Sequence, residues 1–189
     1  NPAFDGTPRY SPDGRFIAFR MQRQPGYESD LILLALYDRK VGSIRSVSDS
    51  FDNWVEDFEW LPDSRRVAFV APVRGHVPLL VLDTADGSVR TAADLGAIDA
   101  FHLSHDGTWA AAARRRVGEP LEIFRFPLAG GEAKRLTFEN EAVEKEVDIR
   151  PAETMEVPGA DGHPVQVFLV KPHGFDPAKK YPLILNVHG

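Results

Sequence analysis

Six histidines, at positions 76, 102, 105, 163, 173 and 188, are the obvious acid–base or metal-binding groups in a chain that has no cysteine. Without cysteine there is no thiol nucleophile, thiolate zinc site or disulfide framework. Only His102 and His105 are neighbours, and a strand sends residues three apart to opposite faces, so no metal site is expected. A serine nucleophile on a strand-to-helix elbow is announced by Gly-x-Ser-x-Gly, and that pattern is missing from the 189 residues. What remains are candidate binding groups. Tyr27-Glu28-Ser29-Asp30 offers two carboxylates, Glu28 and Asp30, suited to holding a cation or to capping a local turn. Phe51-Asp52-Asn53-Trp54 sets Trp54 beside polar groups, as in a substrate pocket or in core packing between sheets. Arg114-Arg115-Arg116 reads as charge protecting a sheet edge, or as a contact for a substrate carboxylate or a second domain. His188-Gly189 follows the apolar run Pro182 to Val187, and its glycine lets main chain approach a ligand closely.

The elements that would position these residues repeat. Ser11-Pro12-Asp13-Gly14, Leu61-Pro62-Asp63-Ser64 and Ser104-His105-Asp106-Gly107 recur at spacings of 50 and 43 residues. The first copy has the Ser, Pro and Gly preferences of a type I turn. The second loses Gly, the third loses Pro, and Asp stays. Each is followed by an apolar run (Phe16 to Phe19, Val67 to Val70, Trp109 to Ala113), the pattern of a strand buried on both faces. A second hairpin repeats in step, with turns at Asp38 to Gly42, Asp83 to Gly87 and Pro127 to Gly131. Each unit is thus about four short strands at the ~40–45-residue period of propeller blades. Trp109 to Arg116 also fits a helix, since Ala is the best helix former, but the repeat register favours a strand. Three blades do not close a ring of 4–8, so a segment of a longer protein is expected.

Composition narrows the partners. Lys and Arg total 22 against 28 Asp and Glu, a formal charge of −6, which disfavours nucleic acid as a partner. No apolar stretch approaches the ~20 residues of a spanning helix. The compartment is open between cytoplasm and periplasm, with a lean towards the periplasm.

After the blades the text changes. Glu139, Glu141, Glu144, Glu146 and Asp148 make an acidic connector. Thr154 to Val157 and Val165 to Val170 read as strands around a Gly159-Ala160-Asp161-Gly162 turn. Lys171 to Lys180 reads as a loop, and Pro182 to Val187 as an apolar strand.

Blades, acidic connector and then VPGADGHPVQVFLVKPHGFDPAKKYPLILNVHG together resemble the prolyl oligopeptidase family of serine peptidases, in its acylaminoacyl-peptidase and dipeptidyl-peptidase 5 branch. MQRQPGYESDLILLALYDR, from Met21 to Arg39, is similar to the dipeptidyl-peptidase side. The resemblance implies a mainly β chain: a partial β-propeller of about three four-stranded blades (1–138), an acidic connector (139–150) and the first strands of an α/β-hydrolase domain (151–189). It implies acyl-enzyme hydrolysis of short peptides, with no metal or organic cofactor, and leaves oligomerisation open. His188 and Gly189 match the start of the family's oxyanion loop, whose backbone N–H stabilises the tetrahedral intermediate. Glu28 and Asp30 match, in kind, the propeller acids that anchor a substrate ammonium, with Trp54 as a further contact. The catalytic Ser, Asp and His would follow Gly189 in the remainder of the same polypeptide, so the segment alone is expected to be inactive. The rival is a TolB-like propeller that binds a protein partner and catalyses nothing.

Overall fold

A computed structural model describes residues 1–187. Its blade turns explain why Asp alone survives in every copy. The Asp13 carboxylate accepts the Arg15 amide at 3.0 Å, Asp63 accepts those of Arg65 and Arg66 at 3.0 and 2.9 Å, and Asp106 accepts that of Thr108 at 3.0 Å. The side chain closes an Asx turn by itself, so the neighbouring Pro and Gly become dispensable. In the first and third copies the serine donates to this carboxylate at 2.6 Å and accepts the amide of Phe16 or Trp109. The second copy has Leu61 in place of that serine, and Arg66 Nε bonds Asp63 at 2.6 Å.

Each turn opens an antiparallel meander. β1 (Asp5–Tyr10), β2 (Phe16–Met21), β3 (Leu33–Asp38) and β4 (Ser43–Ser46) form the first four-stranded sheet. β5 (Asp57–Trp60), β6 (Arg66–Val70), β7 (Leu79–Asp83) and β8 (Val89–Ala93) form the second. β9 (Ala97–Leu103), β10 (Trp109–Arg116), β11 (Glu119–Pro127) and β12 (Lys134–Arg135) form the third. The chain is a partial β-propeller. Trp109–Arg116 is a strand, not a helix: its alternating buried positions pack Ala110 and Ala112 against the second blade, and that packing overrides alanine's helical preference.

The second blade shows how the unbroken apolar runs are used. Val67, Phe69, Leu80 and Leu82, with Phe58 of β5, pack towards Ala18, Leu34 and Leu36 of the first blade. Ala68, Val70, Leu79 and Val81 point the other way, to Ile98, Phe101 and Phe126. Successive residues of β6 and β7 therefore serve opposite cores, which is why polar alternation is lost there. Burying one such Phe or Leu contributes roughly 1.5–3 kcal/mol.

The acidic connector contains a short helix, α1 (Glu141–Glu146), with no buried residue. Glu141 and Glu144 lie in its first turn, and Lys145 pairs with Glu141 at 3.0 Å, both favourable to so short a helix. β13 (Ala152–Pro158) and β14 (Pro164–Val170) then form a two-stranded antiparallel hairpin, with β13 longer at each end than its sequence suggests and β14 longer by one residue at its start. Pro182 to Val187 is not a strand, in contrast to the sequence expectation. Strand structure needs a neighbour's hydrogen-bond ladder, and the described residues supply none there; Leu183, Ile184, Leu185 and Val187 are exposed.

Candidate functional site

The meander topology gives every blade two ends. One end carries the Asp turns. The other carries the β2–β3, β6–β7 and β10–β11 connections, together with the crossings from β4 to β5 and from β8 to β9. The hairpin β13–β14 sits on this second end. Gln166 Nε2 donates to the Arg74 carbonyl at 2.9 Å, and Arg74 forms an ion pair with Glu156. Gly75, at φ 78°, lies so close to Phe168 that a Cβ there would stand 2.1 Å from the ring. Gly118, at φ 94°, meets the backbone of Pro151 in the same way, at 2.8 Å. Two left-handed glycines therefore let the segment after the blades lie flat against them.

Glu28 and Asp30 lie in the β2–β3 connection, the first-blade counterpart of the loops that hold the hairpin. Asp30 serves its own loop: its Oδ2 accepts the amides of Arg23 and Gln24 at 2.6 and 2.8 Å. Those amides, Gln24's foremost, hold its carboxyl below the ordinary value. Gln22 closes the loop further by donating to the carbonyls of Asp30 and Glu28 at 2.8 and 3.3 Å. The exposed Glu28 carboxylate makes no hydrogen bond or ion pair among the described residues, so it is free for a cation. Beside it runs a shallow groove lined by Phe4, Gln24 and Tyr27.

Trp54 lies in the β4–β5 crossing at the same end and is exposed, while its neighbour Val55 is buried and donates its amide to the Ile32 carbonyl at 2.9 Å. Trp54 is thus not a core residue between blades. His188 and Gly189 lie outside the described residues. His102 is engaged by Glu59 at 2.7 Å, and Glu59 also accepts the Leu103 amide at 2.9 Å, joining the second blade to the third.

One buried ionisable group carries no sequence signal. Glu122 on β11 is a buried carboxylate that gathers the start of the connector. It accepts the Thr137 hydroxyl, the Asn140 amide at 2.8 Å, the Asn140 side chain at 3.1 Å and the Arg135 guanidinium at 2.9 Å. Burial alone would raise its pKa, but these four donors outweigh it and pull the group down to about 2. Arg135 also pairs with Glu144 of α1 at 3.2 Å. A lone Glu in an alternating strand carries no signal of this role; its partners lie 13 to 18 residues away.

No family model matches the chain. Dipeptidyl-peptidase 5 of Porphyromonas gingivalis is 31% identical over 186 residues, and that of Porphyromonas endodontalis is 33% identical over 187. Each alignment takes in 98% of this chain and 27% of the relative. Over nearly its whole length the chain is similar to one part of these peptidases, which supports the resemblance to the prolyl oligopeptidase family. The fold agrees: an acylaminoacyl peptidase solved with Z-Gly-Gly-Phe-chloromethyl ketone superposes with a TM-score of 0.72 at 21% identity, over 90% of this chain and 25% of that one. The chain therefore spans about a quarter of the length of the family peptidases it matches.

Proposed function

We propose that this chain is the junction between the propeller and the catalytic domain of a serine peptidase that releases dipeptides or acylated amino acids from short peptides through an acyl-enzyme. Residues 1–138 contribute blades, 139–150 the connector and 151–189 the opening of the α/β-hydrolase domain. The observation that carries the reading is the alignment with dipeptidyl-peptidase 5 through blades, connector and hairpin alike.

The residues take roles that follow from their chemistry. Glu28, an unpaired carboxylate on the end bearing the hairpin, receives the substrate's α-ammonium and so counts residues from the N-terminus. Asp30 holds the loop that presents it, and Trp54 offers an apolar surface nearby. His188 and Gly189 begin the oxyanion loop, where one well-placed N–H is worth roughly 2.7–4 kcal/mol in the transition state. The blades limit entry to short peptides. The nucleophile, base and acid belong to the remainder of the polypeptide, and the segment alone is inactive.

The test is fluorophosphonate labelling and hydrolysis of dipeptidyl substrates by the full-length protein beside this segment. Labelling and turnover by the full-length protein alone are expected. Activity in the isolated segment, or an unlabelled full-length protein, refutes the proposal.

A further inference from the structure

A cavity of about 600 Å³ lies between the ends of the second and third blades and the β13–β14 hairpin. Its apolar wall includes Ala97, Val117, Ala152 and Phe168, and its polar wall combines Arg115 and Arg116 with His76, Glu119 and Thr154. On a regular strand these two side chains would point to opposite faces. The pairing of β10 is irregular on both edges, against β9 between Ala113 and Arg114 and against β11 between Arg114 and Arg116. Both arginines nevertheless line the one cavity, next to this double irregularity, and bulges are frequent beside binding sites.

The guanidinium groups are held in place before any ligand arrives. The Leu95 carbonyl accepts Nε of Arg114 and Nε of Arg116, each at 2.8 Å. Gly96, at φ 102°, makes this possible: a Cβ there would stand 2.4 Å from Arg116 Cγ. Arg115 is oriented through Nε by Asp99 at 3.0 Å. Arg114 is buried, stacks on Phe124 and pairs with Glu119, which lies 3.6 Å from Arg116. Three guanidinium groups thus meet two carboxylates, Asp99 and Glu119, with the His76–Asp94 pair alongside at 2.8 Å. Apart from the ion pair of Arg116 Nη1 with Glu119, the terminal nitrogens of Arg115 and Arg116 have no partner among the described residues, leaving donors suited to a carboxylate.

We propose that this cavity binds the C-terminal carboxylate of a short peptide, with Arg115 and Arg116 as its partners and the apolar wall against the last side chain. The carboxylate chemistry stands on the cavity itself; the peptide character of the ligand rests on the proposed peptidase reading. Such a site would favour substrates short enough to have a free end within its reach.

The experiment uses the full-length protein pretreated with fluorophosphonate to prevent turnover, titrated calorimetrically with Ala-Ala-Phe as free acid and as C-terminal amide. The free acid is expected to bind about tenfold more tightly, the effect of one charge-assisted contact. Arg115→Gln/Arg116→Gln should bring the two ligands within about twofold. Arg115→Gln alone, which sacrifices only an exposed pair with Asp99, should remove part of the preference and serves if the double variant does not fold. Equal binding of acid and amide by the wild type, or an unchanged preference in both variants, overturns the site. Failure of fluorophosphonate labelling with the acid preference intact sinks the hydrolase reading and leaves the carboxylate site supported.

Discussion

The backbone amide of Asp13 donates to the hydroxyl of Ser64 at 2.9 Å, so the turn of the first blade is fastened to the turn of the second. Ser64 sits in left-handed backbone, at φ 55°, where the other two copies carry Gly14 and Gly107. The cost of that conformation for a non-glycine residue, about 1–2 kcal/mol, is offset by the bond between the turns. Ser64→Ala keeps the strain and loses the bond, and should destabilise by about 1 kcal/mol. Ser64→Gly loses the bond but also the strain, and should stay within about 1 kcal/mol of wild type. Urea unfolding of both variants checks this, and a Gly variant markedly weaker than the Ala variant contradicts it.

Glu122 makes the start of the connector acid-sensitive. Its pKa falls from 4.5 to about 2 on folding, so its contribution is complete above about 4.5 and is lost as pH drops through about 2. Glu122→Gln should lower Tm by several degrees at neutral pH and shrink the wild-type loss of Tm across that acid window. Asp106, also drawn down to about 2, chiefly by the Ser104 hydroxyl, has the same sign and keeps some acid sensitivity in the variant. Parallel Tm-versus-pH curves for the two proteins would refute the assignment.

Gly75 should not tolerate a side chain. Gly75→Ala adds a methyl into Phe168 and incurs about 1–2 kcal/mol for its left-handed backbone. Faster hydrogen exchange in β13 and β14 is expected, with the buried strand β6 unchanged. Equal exchange in the hairpin would mean that it does not depend on this contact.

The two acids of the β2–β3 connection should separate kinetically in the full-length protein. Glu28→Gln should weaken free-amino dipeptidyl substrates about tenfold in kcat/KM and spare N-blocked ones, because only the former bring an ammonium. Asp30→Asn loosens the loop through the amides of Arg23 and Gln24, so a fall in thermal stability should accompany any change in kcat/KM. Identical rates for Glu28→Gln and wild type on both substrate sets would remove Glu28 from substrate binding.

The blades were legible because their signal is written three times. Turn chemistry and apolar runs recur in step, and even the alanine-rich β10 is settled by its place in the repeat. The candidate site was legible only in part. Glu28 and Asp30 stand out as a pair, yet nothing local tells the free carboxylate from the one closing its own loop; the amides of Arg23 and Gln24 decide that. The Glu122 cluster was hidden because its partners converge from separate stretches of chain. The shared cavity of Arg115 and Arg116 was hidden because side-chain direction is inferred from strand alternation, which sends neighbours to opposite faces. Pro182 to Val187 reads as a strand from hydropathy, but pairing is a property of two segments and cannot be seen in one.

The two cores on either side of β6 and β7 carry a kinetic and thermodynamic asymmetry. In an array whose units are coupled only to their neighbours, the middle unit gains two interface terms and each flanking unit one. In the 189-residue segment taken alone, unfolding of these blades should therefore begin at the flanks and reach Val67 to Val70 last, making the second blade the slowest-exchanging unit and the one whose core substitutions weaken both neighbours at once.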